Sequence, residues 1–371
     1  MRLAVFHIYN DFSGSPKVLA PVLRALAERG VAMDLHTSRG GVLDSLKDSP
    51  QVRFHHYNYT FSSCAAETMA RYFGIQLRTF FSAFRDLFSP RIFYINTLLP
   101  IGPALAGRLM GKRVVYHYHE NADAKGAFYK ILAKGMQWLA SDIICVSDYQ
   151  RSFLKRKKRV YVIPNALPED FASRLTPNTA EAFERKRVLM LSSLKGYKGT
   201  KEFVRLAEML PEYQFELVIN DSQTEINAYW ENEKLPRPAN LKVFSRQEDV
   251  APFYNRASVV LNLSNREEFI ETFGLTALEA MTAGLPVIVP TVGGIAEMVE
   301  DGENGYKIDV QNLPRIAWAI KVILSDKRQY ERMAEGALKR AKEYSFRRTS
   351  DRIYSLLSGQ KNTSLLGTGE Q

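Results

Sequence analysis

Short apolar runs alternate with longer amphipathic segments along most of this 371-residue chain, and the alternation breaks once and then restarts. The runs lie at 3–9, 32–37, 52–59, 92–95, 114–118, 142–146 and 161–163, and again at 187–192, 215–219, 241–244, 259–263, 286–289 and 306–308. Consecutive runs are separated by about a dozen residues or more, too many for hairpins but enough for helical crossovers, so the strands run parallel with helices on both faces of each sheet. The break, at 164–185, carries Pro164, Pro168 and Pro177 among polar residues and reads as a connection between domains. A single core rarely serves a chain of this length. The expected fold class is therefore α/β with two doubly wound, Rossmann-like parallel-sheet domains.

A hydrophobic share of 46% and a charged share of 24% are those of a soluble globular protein. The two cysteines, Cys64 and Cys145, lack the spacing of a zinc site or a redox dithiol and read as small hydrophobes in a reducing compartment. The opening MRLAVFHIYN has a strand pattern and no export-leader pattern, so a cytoplasmic location is expected. The most span-like stretch, 92–110, contains Asn96, Pro100, Pro103 and Arg108, and a strand followed by a buried helix explains it better. Charge is uneven: residues 1–170 hold 23 Lys and Arg against 13 Asp and Glu, while 171–371 hold 27 of each. An excess confined to one half suits an anionic partner. Its densest run is Lys155, Arg156, Lys157, Lys158 and Arg159, expected at the end of a helix starting near Ser147. That run lacks the interleaved aromatics of a single-strand nucleic-acid groove, and no nucleic-acid role is expected. The stretch 69–88 mixes five Phe with Arg71, Arg78 and Arg85; packing on the sheet accounts for those rings more simply than an interfacial membrane helix does.

Chemistry concentrates in ETFGLTALE, where Glu271 precedes a helix expected over 274–283 and Glu279 falls within it. A helix N-terminus presents free N–H groups and a positive dipole end, so the start of this helix is a natural diphosphate site, and Gly274 would let those groups approach closely. A second amide-rich turn is expected at Gly293 and Gly294, before a helix starting near Ile295, with Glu297 in its first turn. In the first half, Ser13, Gly14, Ser15 and Lys17 follow the first strand, and Gly14 would give a tight strand-to-helix turn. No Gly-x-Gly-x-x-Gly is present there, which argues against a nicotinamide enzyme. His117, His119 and Glu120 end another strand at the same sheet edge, but two histidines on one side of an extended chain without a third ligand do not make a metal site.

The block from Glu271 to Glu297, with its Phe-Gly, Glu-Ala-Met and Gly-Gly-x-x-Glu, resembles the donor-binding segment of retaining glycosyltransferase family 4, and VSDYQR and VIPNALPEDF resemble the end of that family's first domain. The resemblance implies the GT-B fold, in which two Rossmann-like domains face a central cleft. Here these would be an acceptor domain at 1–168 and a nucleotide-sugar domain at 169–345, with a helix at 346–357 returning to the first and a disordered tail at 358–371. It assigns Glu271 to the donor sugar, the amides of residues 273–276 to the diphosphate, Glu279 to the ribose hydroxyls and His119 to the sugar's 6-hydroxyl. Lys198 takes the family's Lys position beside the diphosphate, while Ser193 stands where the family has Arg; Lys195, two residues on, offers a charge but no bidentate guanidinium. Arg246 would neighbour the base or ribose, and the loop from Ser13 to Ser15 loosely matches the family's Gly-Gly loop.

By the same resemblance the donor is a UDP- or GDP-linked sugar, with no cofactor and no metal required. The acceptor attacks from the front face and the donor phosphate takes its proton, so no residue is assigned as nucleophile. The expected acceptor is a polyprenyl-diphosphate-linked glycan of surface-polysaccharide assembly, met by a protein resting on the inner face of the cytoplasmic membrane. A GT-B epimerase and a non-catalytic binding module are the alternatives.

Overall fold

The computed structural model describes residues 1–62, 64–122 and 124–360, so most of the tail expected at 358–371 lies outside the described residues. The chain divides into two compact units, one formed by Met1–Asn165 with the chain from Arg347 onward, the other by Ala166–Phe346.

The first unit is built on a seven-stranded parallel sheet of β1 (Arg2–Phe6), β2 (Ala32–Thr37), β3 (Val52–His56), β4 (Ile92–Asn96), β5 (Val114–Tyr118), β6 (Asp142–Cys145) and β7 (Val160–Val162), in the order β3-β2-β1-β4-β5-β6-β7. Leu3 pairs with Met33 on one side and Ile92 on the other, so the first strand lies inside the sheet. Helices Ala65–Ala83, Ile101–Leu109 and Ala127–Leu139 cover one face, where Ala83, Ala104, Leu132 and Met136 pack with Phe93, Val114 and Tyr116. Gly14–Glu28 and the final helix Phe346–Ser358 cover the other, where Leu19, Leu23, Ile353 and Leu356 meet Val5, Leu35 and Val115. Being covered on both faces, the inner strands are almost wholly apolar, which is why the sequence shows them as continuous runs. The final helix is fastened at its end by Arg113, whose guanidinium donates to the carbonyls of Leu356 (2.7 Å) and Leu357 (2.9 Å).

The second unit repeats the plan with six parallel strands: β8 (Arg187–Ser192), β9 (Gln214–Ile219), β10 (Leu241–Phe244), β11 (Val259–Leu261), β12 (Val287–Val289) and β13 (Gly305–Lys307), in the order β10-β9-β8-β11-β12-β13. In each unit the strand order reverses once, between β1 and β4 and between β8 and β11. Crevices open at such reversals, outside the carboxyl ends of the strands.

Several local expectations need correction. The first and third strands stop at Phe6 and His56, because Ile8, Tyr57 and Tyr59 leave the sheet to form a small cluster with Tyr72 and Ile75. The run of cations at 155–159 lies beyond a short helix, Asp148–Ser152, and two of its members are used internally. Arg156 donates to the carbonyls of Gln137, Ala140 and Ser141, and Arg159 joins Arg113 on the fully buried carboxylate of Asp142. The helix expected near Ile295 is only a 3-10 turn, Ala296–Met298, after which Val299 is extended. The phenylalanines of the stretch 69–88, expected to pack on the sheet, largely point away from it: Phe73, Phe81, Phe84 and Phe88 are exposed.

Candidate active site

In the second unit the sequence-predicted residues converge at the reversal between β8 and β11. The chain leaving β8 passes Ser193 and Lys195 into a 3-10 turn, Gly196–Lys198, and the chain leaving β11 runs through Ser264 and Glu271 to the helix Leu275–Thr282. Gly199 has φ +75°, and a Cβ there would lie 2.4 Å from the carbonyl oxygen of Leu263, so glycine lets the two loops touch. Lys198 Nζ stands 2.5 Å from Glu271 Oε1, which also accepts from Ser264 Oγ at 3.1 Å. The ammonium lies over the Phe269 ring, 4.5 Å from its centroid, and Phe269 stacks on Tyr197 at 4.7 Å. Cation and carboxylate are thus fixed side by side, the one able to meet an anionic group and the other able to accept from hydroxyls.

Gly274 begins the next helix, and a Cβ there would strike Ile295 at 2.3 Å. The first bond of the helix runs from Leu278 N–H to the Gly274 carbonyl, so the N–H groups of Leu275, Thr276 and Ala277 have no intrahelical acceptor. Thr276 is half-buried and its hydroxyl accepts from Asn262 Nδ2 at 3.5 Å, whereas the Phe273 side chain is buried edge-on against Tyr344, leaving only its backbone for a ligand. Within the helix, Glu279 Oε2 accepts from the Tyr254 hydroxyl at 2.5 Å, and burial together with that carboxylate raises the phenol well above its ordinary pKa. Tyr254 was not expected as a site residue; twenty-five positions upstream in a short helix, it carries no sequence signal.

The Gly-Gly turn plays a different part from the one expected. Gly294 N–H is spent on the Glu271 carbonyl (2.8 Å), and Gly293, with φ +110°, would place a Cβ 2.5 Å from that same oxygen. It clasps the Glu271 loop and, lacking a following helix, offers no second dipole end. Lys195 is exposed and makes no ion pair among the described residues. Arg246 folds over the end of β9, donating to the side chain and carbonyl of Asn220 at 3.1 Å, while Asp221 receives the backbone N–H groups of both Arg246 and Leu194. Ser193 is half-buried, and only its carbonyl is engaged, by Ser192 Oγ at 3.3 Å.

In the first unit the reversal between β1 and β4 gathers a buried polar network. Asn96 bridges His7 Nδ1 and His119 Nε2, each at 3.0 Å, and the Tyr94 hydroxyl meets His117 Nδ1 at 2.7 Å. Burial lowers His7 to about 4 and His117 to about 3, and carries His119 well below its ordinary value, so all three rings are neutral at pH 7. The Glu120 carboxylate accepts from the backbone of Leu98 and His119, and burial raises its pKa. Thr97, a β-branched residue at φ +74°, holds the turn between them under strain. Asn96 and His7 were missed in the sequence, although a polar residue ending an apolar strand was there to be noticed. Gly14 has open space where its Cβ would be and no left-handed φ, so the turn expected of it does not require glycine, whereas a Cβ on Gly41 would fall 2.4 Å from the Asn10 backbone. Ser13 caps the helix Gly14–Glu28 without a side-chain bond and donates instead to Asp11, Ser15 is half-buried and Lys17 is exposed. No group of His, Cys, Asp or Glu among the described residues is arranged to hold a metal ion.

Residues 12–171 match the family model Glycosyltransferase Family 4, and residues 174–340 match Glycosyl transferases group 1. A D-inositol 3-phosphate glycosyltransferase of Thermomonospora curvata is 33% identical over 114 residues, 31% of this chain and 26% of that protein. The matched stretches span between about a quarter and about half of such curated relatives. Among solved structures, a sucrose-phosphate synthase from Thermosynechococcus elongatus superposes with a TM-score of 0.78 at 18% identity, covering 96% of this chain and 98% of that one. Anabaena Alr3699/HepE in complex with UDP-glucose gives 0.77 at 17% identity, covering 97% and 100%. Two parallel-sheet units, the first matched by the family 4 model and the second by the group 1 model, give this chain the GT-B fold, with a half similar to family 4 followed by a half similar to group 1.

Proposed function

We propose that the protein transfers a hexose-type sugar, with retention, from a UDP- or GDP-linked donor to a hydroxyl of a lipid-linked glycan. The observation that carries this reading is the pairing of Lys198 with Glu271 beside the open end of the Leu275–Thr282 helix. A departing nucleotide gathers negative charge on its diphosphate, and catalysis needs fixed positive charge there. Lys198 and the amides of Leu275 and Thr276 supply it, and binding of the diphosphate would draw the ammonium from Glu271, freeing that carboxylate for the sugar hydroxyls. Glu279, steadied by Tyr254, is left to accept from the ribose. The UDP-glucose complex of the Anabaena neighbour supports a nucleotide-sugar donor.

The first unit carries the acceptor in this reading. His119, neutral and fixed by Asn96, can exchange a hydrogen bond with a sugar hydroxyl but holds no spare proton for acid catalysis. The excess of cations in residues 1–170 suits a polyprenyl-diphosphate glycan of surface-polysaccharide assembly, of the O-antigen, capsule, lipopolysaccharide or exopolysaccharide kind, approached at the inner face of the cytoplasmic membrane.

The test is thermal-shift screening of uridine and guanosine diphosphate sugars, followed by incubation with the stabilising donor. Binding stabilises by mass action, so one nucleotide series should raise the melting temperature. Conversion of the donor sugar's configuration without transfer would replace the reading by an epimerase, and binding without turnover by a non-catalytic module.

A further inference from the structure

Most large apolar side chains left exposed in this protein lie on one helical layer of the first unit. Along Ala65–Ala83, the residues Tyr72, Ile75, Gln76, Thr79 and Ala83 are buried against neighbouring elements. A second apolar stripe, at four-residue spacing, points elsewhere: Met69, Phe73, Leu77 and Phe81 are all exposed, Phe81 by 67%, and beyond the helix Phe84 and Phe88 continue it, Phe88 by 97%. On a helix of 3.6 residues per turn Met69, Phe73, Leu77 and Phe81 fall within one arc, and Arg71 and Arg78, seven residues apart, border it on one side. Alongside pack Ile101–Leu109 and then Ala127–Leu139, which add exposed Leu109, Ile131 and Trp138, the last by 68%.

Charge decides what such a layer can meet. The three helices carry Arg71, Arg78, Arg108, Lys130 and Lys134 against the single acidic residue Glu67, which pairs with Arg71. A second copy of the same face would oppose cations to cations. The face of a partner protein would have to be both apolar and acidic, whereas a bilayer with anionic lipids offers acyl chains to the rings and phosphates to the cations in the same arrangement.

The geometry points to this layer as a docking surface for an anionic lipid bilayer, with Phe73, Phe81, Phe88 and Trp138 entering the interface and Arg78, Lys130 and Lys134 at the headgroups. The inference deepens the proposed function and rests on its lipid-borne acceptor for the reason a bilayer is met. It also relocates the contact, since Arg156 and Arg159 of the strongly basic run are engaged within the protein.

Co-sedimentation of the full chain with vesicles of phosphatidylcholine, with and without 30 mol % phosphatidylglycerol, tests it. Binding should be at least tenfold stronger to the anionic vesicles and fall at least tenfold in the double variant Phe81→Ser, Phe88→Ser, and again in Arg78→Glu. Tryptophan emission should shift to the blue on anionic vesicles only, and Trp138→Phe should abolish the shift, since Trp230 and Trp318 lie in the other unit. Melting and stabilisation by the donor nucleotide serve as controls, because every substituted residue lies in the first unit. Equal binding to both vesicle types, or unchanged binding by the variants, would overturn the surface while leaving donor binding intact. Self-association abolished by the serine variants would assign the layer to a second copy instead. Loss of donor stabilisation in the unaltered chain would count against the transferase reading alone.

Discussion

Replacing Lys198 by Ala isolates the electrostatic core of the proposed site. Its ammonium is 2.5 Å from Glu271 Oε1 and 4.5 Å from the Phe269 centroid, with the side chain only 23% exposed. An ammonium about 4 Å from one unit of phosphate charge, at an effective dielectric of about 20, interacts by about 4 kcal/mol. Only the part gained as the diphosphate leaves lowers the barrier, so turnover should fall by roughly 10²–10³, the usual effect of losing one preorganised charge-stabilising group. The cost to stability is smaller. An ion pair of about 1 kcal/mol and a cation–π contact of about 0.5–1 kcal/mol are lost, while Glu271 keeps the Ser264 hydroxyl and some solvent. A melting point lower by about 3–6 °C is expected. Initial rates of nucleotide release at saturating donor, beside a melting curve, measure both quantities. A variant that turns over within about threefold of wild type, or that loses affinity for donor while keeping its turnover, would refute the assignment of Lys198 to the leaving group.

Three further outcomes follow from particular contacts. Tyr254→Phe removes the hydroxyl that steadies Glu279, so titration calorimetry should show donor nucleotide binding roughly 3–10-fold weaker, as for one lost hydrogen bond, with turnover little changed; unaltered affinity would remove Tyr254 from the site. Gly293→Ala pushes a methyl group toward the Glu271 carbonyl from a backbone at φ +110° and should lower turnover by about 100-fold or more, since small displacements of reacting groups are that costly; wild-type activity would show that the turn does not hold Glu271. Stability should fall on acidification. His7 and His117 titrate near 4 and 3 when folded, against about 6.5 unfolded, so the unfolded chain binds more protons as pH drops through that window. His7 alone removes about 2 kcal/mol by pH 5, and Glu120, raised by burial, offsets part of this because its protonation favours the fold. Urea unfolding at pH 7.5 and pH 5 reads the difference, and equal stabilities would contradict the burial of these rings.

The thirteen strands were legible because inner strands of a parallel sheet are covered on both faces and appear as unbroken apolar runs. Their ends were not: Tyr9, Tyr57 and Tyr59 look like strand residues but turn out of the sheet, and a linear pattern cannot distinguish a ring packed between strands from one packed beyond them. Glu271, Lys198 and the helix after Gly274 were named from residue pattern and resemblance, whereas their mutual arrangement depends on two loops brought together at Gly199. Gly293 and Gly294 looked like a second helix mouth because Ile295, Ala296 and Glu297 suit a first turn; extended Val299 ends it after three residues. The phenylalanine stripe was misread because a different, partly polar arc of the helix, made of Tyr72, Ile75, Gln76, Thr79 and Ala83, supplies its buried face.

The helix Phe346–Ser358 completes a unit whose other parts end at Asn165. At synthesis rates of about 5–20 residues per second, the intervening residues 166–346 take roughly 10–35 s to emerge, and during that time the amino-terminal sheet waits with the seats of Ile353, Leu356 and Leu357 uncovered. The second unit, continuous in sequence, can finish first although it begins later. A chain released after residue 346 therefore carries all of its later-made unit beside an earlier-made unit that exposes an apolar groove, the state in which chaperone capture or aggregation competes with folding.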